Sequence, residues 1–331
     1  MLILPRRRLL QLSFGTSLGL ISGLWPVLAS SKSADPLPSW RPGPVKAALL
    51  AFILGVATPG SPDFTPSADR IAVFDNDGTL WCEEPLIQVL FLQWRLRKNP
   101  PDNPALTPVY RALLDGNLAE LAQMSREQVM TALAESLANQ TEAKFSAEVK
   151  AFFKTAQHPR FGVPLSQMVY QPMLELLSYL RQQGFQTWIS SGGGMDFIRV
   201  ISEDFYGIPP QQVIGSSLKK EFRLLGGKGV IWRLPEVETL NDQQQKPVGI
   251  NLHIGKTPIF AAGNVRSGGD IAMLTYSQNA APSLQLLINH DDPQREFAYG
   301  EVDQASLKAA RVNNWQVASI QKDWERVFPF S

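Results

Sequence analysis

The sequence is poor in cysteine and histidine. Cys82 is its only cysteine, so no disulfide within the chain and no thiolate metal cage can be built. His158, His253 and His290 are its three histidines, scattered without the spacing of metal ligands. An excess of one charge is missing too. Lys and Arg number 31 against 30 Asp and Glu, a net charge of +1, which leaves no basic field for nucleic acid. No segment repeats at a fixed period, so solenoids and arrays are excluded. A single long apolar run exists, from Leu9 to about Leu28. What is plentiful is ordinary globular composition: 44% hydrophobic and 18% charged residues, which excludes disorder and coiled coil. A chain of 331 residues is long enough for about two domains.

Arg6, Arg7 and Arg8 precede the apolar run, and Val27-Leu28-Ala29 offers a small residue before a cut after Ala29. This is the grammar of an export signal over residues 1–29. Arg-Arg-Arg-Leu-Leu-Gln also resembles a twin-arginine signal, which exports folded proteins. The alternative is an uncleaved membrane anchor, since about 20 apolar residues can span a bilayer. Gly15, Ser17, Gly19, Ser22, Gly23 and Pro26 weaken the run and favour cleavage. Cleavage removes three arginines and leaves 28 basic against 30 acidic residues, a net charge of −2. The expectation is a periplasmic protein with no stable membrane association.

Residues 30–70 read as a Ser- and Pro-rich linker followed by a core-packing helix over 44–56. Ile71-Ala72-Val73-Phe74 is a buried strand that ends in a turn. Helical patterns then dominate: 85–97, 107–122, 125–138 and 142–156. After residue 170, helices and strands alternate: helix 172–183, strand 185–190, helix 195–206 and strand 212–217. A hairpin over 221–234 follows. Strands 258–262, 284–289 and 315–320 then interleave with helices 269–276, 292–299 and 305–312. Alternation of this kind predicts a doubly wound, parallel, Rossmann-like α/β sheet. The helical block 84–161 becomes an all-helical cap inserted after the first core strand. The core takes 71–83 and 162–331.

In such a sheet, ligands bind beyond the carboxyl ends of the strands. Four of those ends carry chemistry. Asp75 and Asp77 leave the first strand together in Asp-Asn-Asp-Gly-Thr-Leu-Trp. Paired carboxylates suit a hard cation such as Mg²⁺. One carboxylate can attack phosphorus and the other can move a proton. Ser190-Ser191-Gly192-Gly193-Gly194 ends a second strand before a helix start, a place that favours an anion. Lys246 and Lys256 lie ahead of a third strand. Asn264 and Asp270 follow it in Gly263-Asn264-Val265-Arg266-Ser267-Gly268-Gly269-Asp270.

The run DNDGTLW resembles the DxDGT signature of the haloacid dehalogenase-like hydrolase superfamily, whose members are mostly Mg²⁺-dependent phosphatases. Further segments, WISSGGGMDFIR, KPVGINLHIGKTPI and NHDDPQREFAYG, look like a bacterial branch related to phosphoserine phosphatases. The resemblance implies Asp75 as nucleophile and Asp77 as general acid/base. Ser191 with Gly192 would hold phosphate. Lys246, preferred to Lys256, would neutralise it. Asp75, Asp77, Asn264 and Asp270 would hold Mg²⁺. Two departures stand out. Asn264 replaces the usual acid, and Asp270 follows six residues later rather than four or five. Glu84, seven residues after Asp77, matches the position that binds the substrate amino group in phosphoserine phosphatases. It equally matches an acid at a helix start. Arg266 offers a second route to the substrate.

The activity implied is phosphate-monoester hydrolysis of a small phosphorylated substrate through an aspartyl phosphate. The alternative is an exported, non-catalytic protein that binds phosphate or a small molecule on the same scaffold. His290-Asp291-Asp292 reads as the cap of helix 292–299. Cys82 reads as a packed thiol.

Overall fold

Four consecutive apolar residues form β1 (Ile71–Phe74), and all four are buried. A strand buried on both faces reads as an unbroken apolar run, and β1 lies mid-sheet. Ala72 and Phe74 pack into one core cluster, Ile71 and Val73 into the other, as a period of two requires. The computed structural model describes residues 35–100, 103–266 and 268–331. The export signal expected over 1–29 lies outside the described residues, as does the linker up to residue 34. Residues 36–331 form a single unit. Among the described residues, no helix is long and apolar enough to cross a membrane.

Helix α1 (Pro44–Ala57) precedes β1. The insertion after β1 holds α2 (Ile87–Lys98), α3 (Thr107–Asp115), α4 (Leu118–Gln123), α5 (Arg126–Leu137) and α6 (Glu142–Thr155). Gly116, in the left-handed region at φ 66°, ends α3 and divides the stretch expected as one helix over 107–122. The insertion is not helical throughout. β2 (Gln140–Thr141) pairs antiparallel with a later strand.

The rest of the core follows as α7 (Gln171–Gln182), β3 (Gln186–Gly194), α8 (Met195–Tyr206), β4 (Val213–Leu225), β5 (Lys228–Thr239) and α9 (Gln245–Ile254). It closes with β6 (Phe260–Asn264), α10 (Ile271–Ser277), β7 (Leu284–Asn289), α11 (Ala305–Asn313), β8 (Gln316–Ser319) and the single turn α12 (Ile320–Asp323). The sheet order is β2-β5-β4-β3-β1-β6-β7-β8. All pairs from β4 to β8 in that order are parallel. The β4–β5 and β5–β2 pairs are antiparallel. Buried residues of α1, α7 and α8 join one core cluster, and those of α9, α10 and α11 the other. The sheet is therefore wound on both faces, with a helical insertion after its first strand.

Two further expectations change. Strand 212–217 and hairpin 221–234 are one continuous feature, because no turn residue interrupts the chain between Gly215 and Gly226. Residues 292–299 form turns, not a helix. Asp292 does accept the N–H groups of Gln294 and Arg295, at 3.1 and 3.0 Å. However, Arg295 reaches across to Trp324 and Ile320 carbonyls, and Tyr299 N–H returns to His290 O at 3.1 Å. These tertiary bonds replace the next helical turn.

Candidate functional site

The chain leaves β1 at Asp75, whose N–H donates to Ala262 O of β6 at 2.9 Å. It turns at once, because Asn76 O accepts from Thr79 and Leu80 at 3.2 and 2.8 Å. Gly78 carries the turn with φ 71°. A Cβ there would stand 2.2 Å from Asn264 Nδ2 and 2.6 Å from Glu83 Oε1, so only glycine fits. The turn aims both carboxylates into a cleft of about 320 Å³, also lined by Ser191, Gly192, Lys246, Asn264 and Asp270.

Lys246 arrives from the first turn of α9, an element the sequence did not signal. Its Nζ lies 2.7 Å from Asp75 Oδ1 and 2.5 Å from Asp270 Oδ1, and all three side chains are buried. Lys256 faces away, exposed and paired with Asp69 at 2.6 Å. Asp270 Oδ2 accepts Asn264 N–H at 2.9 Å. Its two oxygens thus hold Lys246 and the end of β6. Ser191 Oγ accepts Gly193 N–H at 3.0 Å and faces Asp77. Its neighbour Ser190 points away, toward Asn241 Nδ2 at 3.2 Å.

Burial pushes the Asp75 carboxyl well above the ordinary range, the Asp270 charge adds to this, and Lys246 opposes it. Burial also raises Asp77, against a 2.8 Å bond from Trp81 Nε1 to its Oδ1. Lys246 is held protonated: burial disfavours its charge, but Asp270 and Asp75 outweigh that and raise its pKa.

Glu84 does not line this cleft. It pairs with Arg266 Nη1 and lines a separate depression with Tyr299 and Glu301. Glu83, its neighbour, is the one that faces Asp77 and Lys246. Burial lifts its carboxyl to about 7, against the Arg266 guanidinium 3.5 Å away. Residues 82–86 follow neither a helical nor a strand period, so spacing could not tell which glutamate turns inward. Gln88, Asp242 and Arg266 add polar side chains to the lining. Arg266 was weighed from sequence, but the other two carried no signal.

Beneath the turn, His290 Nε2 lies 2.7 Å from Gly78 O and its Nδ1 3.1 Å from Glu296 Oε2. Tyr170 OH donates to Glu296 Oε1 at 2.8 Å. Tyr299 stacks on His290, with ring centroids 4.2 Å apart. The His290 segment thus buttresses the Asp75–Gly78 turn from within the core.

The site's donor set fits a hard divalent cation. The oxygens that line it are of the kind such a cation takes: the Asp75 and Asp77 carboxylates and the Asn264 amide. Asp75, Asp77 and Asp270 against Lys246 leave these four residues two positive charges short, and the Asp270 and Asp77 charges add to the burial that raises Asp75. Among the described residues, no three Asp, Glu, His or Cys side chains converge to hold a metal by themselves. Asn264 instead gives its Nδ2 to Asp77 O at 2.5 Å.

Among solved structures, the chain resembles a conserved functionally unknown protein from Anaerococcus prevotii DSM 20548. The TM-score is 0.54 at 16% identity, over 83% of this chain and 91% of that one. A protein with unknown function from Bordetella pertussis Tohama I gives 0.49 at 18% identity, over 75% and 97%. A probable phosphoserine phosphatase from Vibrio cholerae gives 0.40 at 16%, over 76% and 68%. The first likeness shows the fold. No curated protein matches the chain. The family model for haloacid dehalogenase-like hydrolases matches residues 72–244, more than half of the sequence and the stretch that carries Asp75, Asp77 and Ser191, and the chain belongs to that family.

Proposed function

We propose that the protein is a phosphate-monoester hydrolase that works through an aspartyl phosphate on Asp75. The observation that carries this reading is the convergence of Asp75, Asp77, Ser191 and Lys246 from separate elements into one cleft. Asp75 attacks phosphorus in line with the ester oxygen. The P–O ester bond breaks and Asp77 gives its proton to the leaving alkoxide. Burial raises Asp77 toward the protonated state that this step needs. Trp81 holds Oδ1, which leaves Oδ2 for the proton transfer. Water then attacks phosphorus, Asp77 takes its proton, and inorganic phosphate leaves Asp75. Lys246 opposes the upward shift of Asp75, and so favours its ionised form, and faces the charge that develops on the phosphoryl oxygens. Ser191 supplies a hydroxyl to the same oxygens.

Asp75, Asp77 and Asn264 would hold Mg²⁺, with Asp270 acting through Lys246. The metal, when bound, supplies the missing positive charge and orients the phosphoryl group. Helices α2–α6 would exclude bulk water from the cleft. The second reading, a non-catalytic binding protein, draws on Asn264 in place of an acid. Mg²⁺-dependent release of phosphate from p-nitrophenyl phosphate separates the two. Release that Asp75→Asn abolishes supports the hydrolase, and stoichiometric binding without turnover supports the binder. On residues 1–29 we read the protein as exported to the periplasm. Replacing Arg6 and Arg7 with Lys should block translocation if the twin-arginine route is used, and full-length protein in the membrane fraction would favour the anchor.

A further inference from the structure

The catalytic cleft opens into a second space of about 480 Å³ beneath the helical insertion. Gln88, Val89, Gly192, Gly193 and Asp242 line both, so the two adjoin. Its roof is apolar, formed by Leu92, Leu113, Val129, Met130, Leu133 and Phe145. The charges on its wall are engaged with one another. Asp196 lies 2.5 Å from Arg233 and 2.6 Å from Lys220, and Arg233 lies 2.8 Å from Glu142. At the mouth, Asp242 would repel a second anion. Gln88 stands at the junction: its Oε1 accepts Gly194 N–H at 2.8 Å, while its Nε2 is buried without a partner. A Cβ on Gly193 would lie 2.2 Å from that Nε2, so the glycine makes room for the amide.

We infer that the substrate is the phosphate monoester of an apolar alcohol, whose alkyl or aryl group fills this cavity while Gln88 Nε2 faces the ester. A zwitterionic alcohol such as phosphoserine does not suit it. An ammonium and a carboxylate would lose their water against the apolar roof, whose nearest ions are already paired with one another, and Glu84 is outside the cleft and paired with Arg266. The volume is roughly sixteen times the ~30 Å³ share of one water molecule, enough for a chain well beyond ethyl. The inference rests on the hydrolase reading for its chemistry, but the cavity can be tested without it.

The experiment uses the full chain with Mg²⁺ and a series from ethyl to octyl phosphate, with O-phospho-L-serine beside it. We expect kcat/KM to rise about threefold to fourfold per methylene until the cavity is full. Phosphoserine should fall at least about 100-fold below octyl phosphate. In Leu133→Trp, which fills the cavity, the octyl-to-ethyl ratio should drop at least about tenfold. Met130→Lys, which puts a charge in the roof, should do the same if the tryptophan variant fails to fold. Binding of the matching n-alkylphosphonates, followed by calorimetry, should tighten with chain length in parallel. A flat chain-length profile, or a preference for phosphoserine, overturns the inference and leaves the hydrolase intact. If no monoester is turned over in an Asp75-dependent way, the hydrolase reading fails. Chain-length-dependent phosphonate binding would then still support the apolar pocket, and its absence would overturn that too.

Discussion

The floor and the roof of the space beneath the insertion are built on opposite principles. The floor holds Asp75, Lys246 and Asp270, all buried, and the half-buried Asp77, and is short of positive charge. The roof is a set of half-buried and buried aliphatic and aromatic side chains from α2, α3, α5 and α6, with its nearest ions neutralised in pairs. The floor comes from the ends of the parallel strands β1 and β6, the loop after β6 and the first turn of α9. The roof comes from helices that pack a small cluster of their own around Leu96, Val109, Tyr110 and Leu113. The difference teaches that ionisable groups gather in one part and apolar surface in the other, the division that the proposed reaction and substrate call for.

The sharpest way to break the comparison is Asp75→Asn. It keeps the size of the side chain but cannot form the acyl phosphate. Turnover of any phosphomonoester should fall by at least about 10⁴-fold, with thermal unfolding little changed. Retained turnover would refute the mechanism. Next is Lys246→Met, which leaves Asp75 and Asp270 facing each other without a cation. Breaking a buried pair costs about 3–5 kcal/mol, so both stability and activity should drop. Chemical denaturation reads the first and phosphate release the second. A roof substitution such as Val129→Ala should cost no more than about 1.5 kcal/mol.

Glu83 gives a pH test. Its carboxyl is raised to about 7 in the folded chain, so the folded state binds the extra proton between roughly pH 4.5 and 7. Stability from that group is present below this window and is lost as pH rises through it, on the order of 3 kcal/mol in all. Glu83→Gln should flatten that part of the stability-versus-pH curve. An unchanged slope would mean another group carries it. The smallest effect belongs to Asn264→Asp. One more negative charge should lower the Mg²⁺ concentration for half-maximal activity by about tenfold, some 1.4 kcal/mol. Asp270→Ala should act differently, by loosening Lys246 more than by changing the Mg²⁺ midpoint. Titrating activity against Mg²⁺ in the three proteins separates the two roles.

Much of the floor was legible in the sequence. An apolar tetrapeptide that runs into Asp-x-Asp-Gly reads as a buried strand entering a turn, which puts the paired aspartates at the strand's carboxyl end. The hydroxyl and glycines at 191–194 follow by the same logic. Local periodicity likewise marked the helices of the insertion, because their apolar spacing is set within each segment. Other features have no local signature. The helix that carries Lys246 begins in a polar run, Gln243-Gln244-Gln245, and its place beside Asp75 depends on a contact across 171 residues. Which of Glu83 and Glu84 turns inward depends on Arg266 and Tyr299, far along the chain. The turns at 292–299 replace a helix because Arg295, Glu296 and Tyr299 find partners elsewhere. The sequence alone determined the sheet, the insertion point and the paired aspartates, since burial and turn chemistry act on neighbours. Only the tertiary structure decided the charge balance of the floor, the free amide of Gln88 and the apolar cavity above it, because each arises where separately encoded surfaces meet.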